Sequence, residues 1–167
     1  MTPASVTGLT AWLQWLERSD VAVAIRDSVW LYPSVEILHI TGFVVLVGAA
    51  AMFDLRLLGL SAQLPVDRVA TYLLPVSRAS LFVVVPSGLA LFASDATSLS
   101  ANLAFQLKLV LLACAGLNAY AFHRWCLPSV AAWSVNSPTP LRARLAAVTS
   151  LVLWTAVISC GRLIAYF

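Results

Sequence analysis

The stretch PSVEILHITGFVVLVGAAAMFDLRLL, residues 33–58, decides the fold class. It is a long, almost wholly apolar run that opens on a proline. A proline is tolerated in the first turn of a helix, where its missing N–H would have had no partner. About 20 apolar residues suffice to carry a helix across a bilayer, so the segment reads as a membrane-spanning helix beginning at Pro33.

Three further segments read in the same way, at about 73–93, 103–125 and 144–165. Pro75 and Pro86 mark kink sites in the second. Composition agrees: of 167 residues, 61% are hydrophobic and 10% charged, with a mean hydropathy of +0.91. A soluble domain carries about a quarter charged residues, so this chain cannot cover a water-facing surface and needs lipid as its solvent. The expected fold is all-α, an integral membrane bundle of four helices over residues 33–167, preceded by an interfacial amphipathic segment at 1–32.

Within that segment Leu9, Trp12, Leu13 and Leu16 share one helical face, too short to span and with tryptophans suited to the membrane interface. Residues 21–31 keep Val21, Ile25, Val29 and Leu31 apolar around Arg26 and Asp27. They read as a second interfacial helix or as a folded cap over the bundle mouth. No basic n-region opens the chain, so a cleaved signal peptide is not expected. The connection 94–102 reads as a short polar turn, and 126–143, with Pro128, Pro138 and Pro140, as a longer one. Short connections make consecutive helices antiparallel neighbours.

The basic residues set an orientation. Arg56, Arg68 and Arg78 follow the first span, and Arg124, Arg142 and Arg144 follow the third. The turn between the second and third has no Lys or Arg. The positive-inside rule then puts both termini outside, which in a bacterial inner membrane is the periplasm. The net charge of +3 is spread without a basic run, which argues against nucleic-acid binding. Cys114, Cys126 and Cys160 have no paired spacing. Cys114 and Cys160 stand inside apolar runs and read as buried small hydrophobes.

A charge inside a spanning helix costs several kcal/mol unless solvated or paired, so each such residue needs a reason. Glu36, His39, Lys108 and Arg162 fall at one level near the outer end, and Glu36 and His39 share a helical face that Phe43, Ala50 and Asp54 continue inward. Lys108 and Arg162 can also serve as simple interfacial anchors, and Glu36 suits a helix N-terminus. A histidine facing lipid gains nothing, so His39 reads as a ligand, proton carrier or polar partner. His123 lies on the order of 20 Å from His39 along the membrane normal and reads as an interface residue. A bis-histidine site within one copy is therefore disfavoured. Glu36-x-x-His39 is only half of a di-iron pattern. Cys160, at about the depth of His39, offers a soft ligand that would suit copper. Asp54 and Arg56 stand at the inner end of the first span, where Arg78 is a candidate partner. Gly42, Gly48, Gly88 and Gly116 permit close helix approach, and Asn118 suits a hydrogen bond to a neighbouring helix.

These residues resemble two families. Leu38-His39-Ile40 with Gly42, Gly48 and Arg56-Leu57 is similar to the first helix of both the HemJ-type protoporphyrinogen oxidase and the copper-resistance D membrane domains. Phe105-Gln106-Leu107-Lys108-Leu109 resembles the opening of their later helix. Arg124-Trp125 resembles its close in the HemJ type, while Asn118 and Pro128 are nearer the copper family. Tyr32-Pro-x-x-Glu36-x-x-His39 also resembles the signature of a group of uncharacterised bacterial four-helix integral membrane proteins. The resemblance implies a b-type haem with His39 as axial ligand and Lys108 as functional partner. Ala119 and Tyr120 stand where HemJ-like chains carry a second histidine. On this reading Lys108 and Arg162 pair with haem propionates, Trp30 and Tyr32 shield the site, and a quinone or another redox partner exchanges electrons. The alternatives are a copper-handling or small-substrate transport protein using Glu36 and His39 as metal ligands, and a non-catalytic subunit within a homo-oligomer or larger membrane complex.

Overall fold

The computed structural model describes residues 3–134 and 138–166. The described residues contain helices and no strand. Helices α1 (Pro3–Glu17) and α2 (Asp20–Asp27) precede α3 (Leu31–Leu57) and α4 (Val66–Ser94). A short α5 (Ala96–Ala101) leads into α6 (Leu103–Trp125), a 3₁₀ segment covers Leu127–Trp133, and α7 (Leu141–Leu163) ends in a 3₁₀ turn at Ile164–Tyr166. Helices α3, α4 and α6, and α7 with its closing 3₁₀ turn, are long and apolar enough to cross a membrane. The all-α membrane bundle follows.

Large apolar side chains cover the outside of these four helices. Phe82, Leu89, Val110, Leu117 and Val152 are all exposed, as lipid contact requires and water would penalise. Aromatic side chains sit near both ends of the spans: Trp12, Trp15, Trp30 and Tyr166 at one, Tyr72 and Trp125 at the other, the positions of an aromatic belt.

Local chemistry sets the boundaries. The Asn102 side chain accepts from the Phe105 N–H at 3.1 Å and starts α6. Helix α3 ends where Gly59 takes a φ of +110°. The Leu60 N–H then reaches Leu55 O at 3.0 Å, and the Gly59 N–H reaches Arg56 O at 3.1 Å, the paired bonds that close a helix around a left-handed glycine. Helix α4 begins seven residues earlier than hydropathy alone suggests. Its first turns leave the apolar span and bury Val66 and Ala70 against Phe122, Val130 and Trp133. The 94–102 connection is helical at its centre instead of an open turn.

The two ends of the bundle differ. At the cap end, α1 and α2 fold onto α4 and α5, burying Leu13, Ala22 and Ile25, so the N-terminal segment is a folded cap with an interfacial outer face. The Glu17 carboxylate accepts the Thr97 N–H at 2.6 Å, and Asn102 donates to Ile164 O at 3.1 Å. At the loop end, Phe53, Leu57, Val66, Ala70, Phe122, Val130, Trp133, Ala143 and Ala147 form the tightest core. Phe53 meets Phe122 edge-on, with ring centroids 5.4 Å apart.

Helix α3 packs on α4 and α7, and α7 on α6. The consecutive spans α4 and α6 do not pack closely along their length, contrary to the expectation for sequential neighbours. Gly42 lets α3 approach α4, since a methyl group there would stand 3.0 Å from Val84. Gly48 and Gly116 face open space and mediate no close approach. Asn118 donates to Ala146 O of α7 at 3.0 Å, as expected.

Candidate functional site

The site residues begin with His39, whose position on α3 turns its half-buried ring toward α4. Its Nδ1 lies 3.1 Å from Val84 O and 3.0 Å from Ser87 Oγ. A carbonyl oxygen only accepts, and the Ser87 hydroxyl is already directed at Val83 O, 2.6 Å away. Nδ1 therefore carries the proton and donates. In the neutral ring Nε2 is then a free lone pair, the arrangement by which a second-shell acceptor prepares a histidine as ligand or base. Helix α4 provides the seat through Pro86-Ser87-Gly88. A methyl group at Gly88 would stand 2.9 Å from His39 Cε1, so the ring lies directly on the bare backbone. Phe43 stacks one turn away at 6.5 Å, and Trp154 of α7 meets Phe43 edge-on at 5.8 Å.

Lys108 enters from α6. It is half-buried, and its Nζ lies 3.7 Å from where a side chain at Gly161 would begin. Its charge is felt at His39, and the buried Cys160 lies within its electrostatic reach. Arg26–Asp27 is the only ion pair among the described residues, so Lys108 has no carboxylate partner there. The cap-end layer thus holds an imidazole with a prepared lone pair and an uncompensated ammonium.

Arg162 and Glu36 do not join them. Arg162 donates to the Tyr166 hydroxyl at 2.8 Å and lies over that ring at 5.0 Å, the geometry of an interfacial anchor. Glu36 is exposed, and its charge is felt at Tyr32 one turn earlier on the same helix. Trp30 is 81% exposed. No group of three or more His, Cys, Asp or Glu able to hold a metal ion occurs among the described residues, so Glu36 and Cys160 do not complete a cluster with His39. Of the two cysteines expected to be buried, Cys160 is and Cys114 faces outward, where lipid accepts a thiol as a small apolar group.

At the loop end, Arg56 is buried. It donates through Nε to Leu64 O at 2.7 Å and through Nη2 to Ala62 O at 3.0 Å and Ser134 O at 3.2 Å. It ties both loops together and leaves Asp54 unpaired. Asp54 is buried with Ser150 as hydrogen-bonding neighbour, and its Oδ2 has no partner among the described residues. Arg78 is bound to its own helix through Leu74 O, so the expected Asp54–Arg78 pair does not form. Ser87, Gly161 and Trp154 carry no mark in the sequence reading, and Gly88 is marked there only as permitting close helix approach. The Pro-Ser-Gly interruption of an apolar run was the signal available for two of them.

A family model described as a family of unknown function (DUF6644) matches residues 13–167, and the chain belongs to that family. No curated protein and no solved structure matches the chain.

Proposed function

We propose that this family member is a membrane redox protein that binds a b-type haem at its cap end through His39. The observation that carries the reading is the Nδ1–H donation from His39 to Val84 O, which orients the ring and leaves Nε2 free to bind iron. The donor chemistry fits: a neutral imidazole is the ordinary axial ligand of b-type haem, and Lys108 is an unpaired cation close enough to offset a propionate. His39 is half-buried, and a haem held by it would meet the imidazole where the ring reaches the surface of the bundle. Bound there, haem supplies one-electron transfer, with a quinone or a redox protein as the exchanging partner.

The chain's own residues perform the remaining tasks. Ser87 and Val84 fix the imidazole tautomer. Phe43 and Trp154 wall the inner side of the ring. Lys108 raises the local positive potential, which favours the reduced state of a bound redox group. Arg162, anchored on Tyr166, stays at the membrane surface. By the positive-inside rule the loop end faces the cytoplasm and the cap end, with both termini, the periplasm of a bacterial inner membrane.

The similarity of the His39 and Lys108 segments to the HemJ type points the same way. The test is a reduced-minus-oxidised spectrum of the purified protein. The expected result is a set of sharp haem bands that disappear in His39→Ala. Colourless protein from haem-replete cells, or bands that persist in that variant, overturns the assignment.

A further inference from the structure

The loosely packed side of the bundle, between α4 and α6, holds a cavity of about 480 Å³ at the loop end. Its walls include Thr71, Leu74, Pro75 and Arg78 of α4, His123 of α6 and Leu127 of the 3₁₀ segment. Arg78 stands about 18 Å along α4 from Val66, on the membrane side of the other polar groups in the groove. Its guanidinium makes one long bond, from Nε to Leu74 O at 3.4 Å, and no ion pair among the described residues.

The carboxylate at the mouth, Asp67, is about 16 Å further out along the helix and accepts a hydrogen bond from Ser134. His123 Nδ1 faces Ala119 O at 2.8 Å and so carries its proton, while the enclosed Nε2 has no partner among the described residues. That nitrogen is closed off from the groove, so the polar group open to a ligand there is the exposed Arg78 guanidinium.

The charge distribution says which group. Six of the ten basic residues and two of the seven acidic ones lie at the loop end, whereas the cap end has four and five. The loop end is therefore an anion-attracting face, and Arg78 is its deepest exposed cation.

We propose that the groove binds the headgroup of an anionic phospholipid, with its phosphate on Arg78. Phosphoglycerol presents a net-negative phosphodiester to the guanidinium fork. Leu74, Pro75 and Leu127 give the glycerol backbone and upper acyl carbons an apolar wall that continues into the membrane. Choline neutralises its phosphate internally, so phosphatidylcholine binds weakly.

Native mass spectrometry of the whole protein in detergent, titrated with phosphatidylglycerol or with phosphatidylcholine of the same chains, tests this. Expected is at least a tenfold preference for phosphatidylglycerol, lost in Arg78→Gln and partly kept in Arg78→Lys, since a charge-assisted bond is worth about 1.5–3 kcal/mol, or roughly tenfold or more. Arg124→Gln, which lies outside the groove, retains the preference and controls for general surface charge. Soluble glycerol 3-phosphate and inorganic phosphate at equal concentration leave the lipid adduct in place. Displacement by either overturns the lipid source in favour of a soluble phosphate. Equal binding of the two lipids, or a preference indifferent to Arg78→Gln in protein that keeps its helical circular dichroism, overturns the site.

Discussion

Nδ1 of His39 and the carbonyl oxygen of Val84 are 3.1 Å apart across the α3–α4 contact, and this bond fixes which ring nitrogen is available. Ser87 Oγ, at 3.0 Å, is the second acceptor. Replacing Ser87 by alanine should leave the fold nearly intact, at a cost of about 1 kcal/mol, yet loosen the ring. Loss of a second-shell partner typically weakens ligand binding about 10–100-fold. Haem retained after detergent washing, compared between wild type and Ser87→Ala, measures this. Equal retention would remove Ser87 from the site.

Gly88 is where backbone contact and ligand geometry meet. A methyl group there would stand 2.9 Å from His39 Cε1, whereas Gly48 and Gly116 have nothing within 4 Å. Gly88→Ala should therefore cost about 1–3 kcal/mol by overpacking and displace the imidazole. Gly48→Ala and Gly116→Ala should be neutral or stabilising by up to about 1 kcal/mol through helix propensity. Thermal unfolding of the three variants in one detergent gives the comparison, and equal destabilisation by all three contradicts it.

Arg56 closes the loop end by donating to Leu64 O, Ala62 O and Ser134 O, which ties the two connections of that end together. A lysine keeps the charge but not the fork that reaches separate carbonyls. Arg56→Lys should cost about 2–3 kcal/mol, given that bonds to charged groups are worth about 1.5–3 kcal/mol and the abandoned carbonyls are part-buried. Limited proteolysis should then cut faster within 58–65 and after 134. Unchanged cleavage would mean that the loops are held without it.

Cys126 lies just beyond the third span, where burial pushes its thiol above the ordinary range and the Arg142 guanidinium partly opposes this. A raised value means less thiolate at any pH below it. Modification of Cys126 by a water-soluble maleimide near pH 7.5 should be slower than that of a free thiol, and should keep accelerating at pH values where the free thiol has levelled off. Arg142→Gln removes the opposing charge and should slow it further. A faster reaction in that variant would reverse the sign argued here.

The four spans are legible in the sequence because hydropathy is a property of the chain alone: a run such as 33–58 has no other stable environment. The depth of His39 and Lys108 follows from the same reading, since rise per residue converts position into level. Azimuth does not. Whether Lys108 turns toward His39 depends on how the helices rotate against one another, and that is decided by contacts such as Gly42 on Val84 and Gly88 on His39. The Arg162–Tyr166 pair is four residues apart on the last turn, so that contact is legible in the spacing alone. The early start of α4 was hidden for a different reason. Its first turns are stabilised by Trp133 and Phe122 from distant parts of the chain rather than by lipid.

Lys108 tests whether the cap-end site exists for binding or only for packing. Its ammonium is half-buried in a spanning helix, has no carboxylate partner among the described residues, and acts on His39. A lysine at the centre of a span costs about 2.5–3.5 kcal/mol on insertion scales and less toward the end where Lys108 stands, and no carboxylate among the described residues offsets its charge. Lys108→Met keeps the length and apolar stem while removing the charge. If the lysine serves a bound anionic group, this variant should unfold at the same temperature as wild type or higher, lose ligand, and lower the midpoint potential of whatever haem it retains. The coupled outcome, stability kept or gained with binding lost, is the signature of a residue held for function against its folding cost. A destabilised Lys108→Met with unaltered ligand content and potential would instead identify the ammonium as a packing element, and the cap-end layer would then consist of His39 and its α4 acceptors alone.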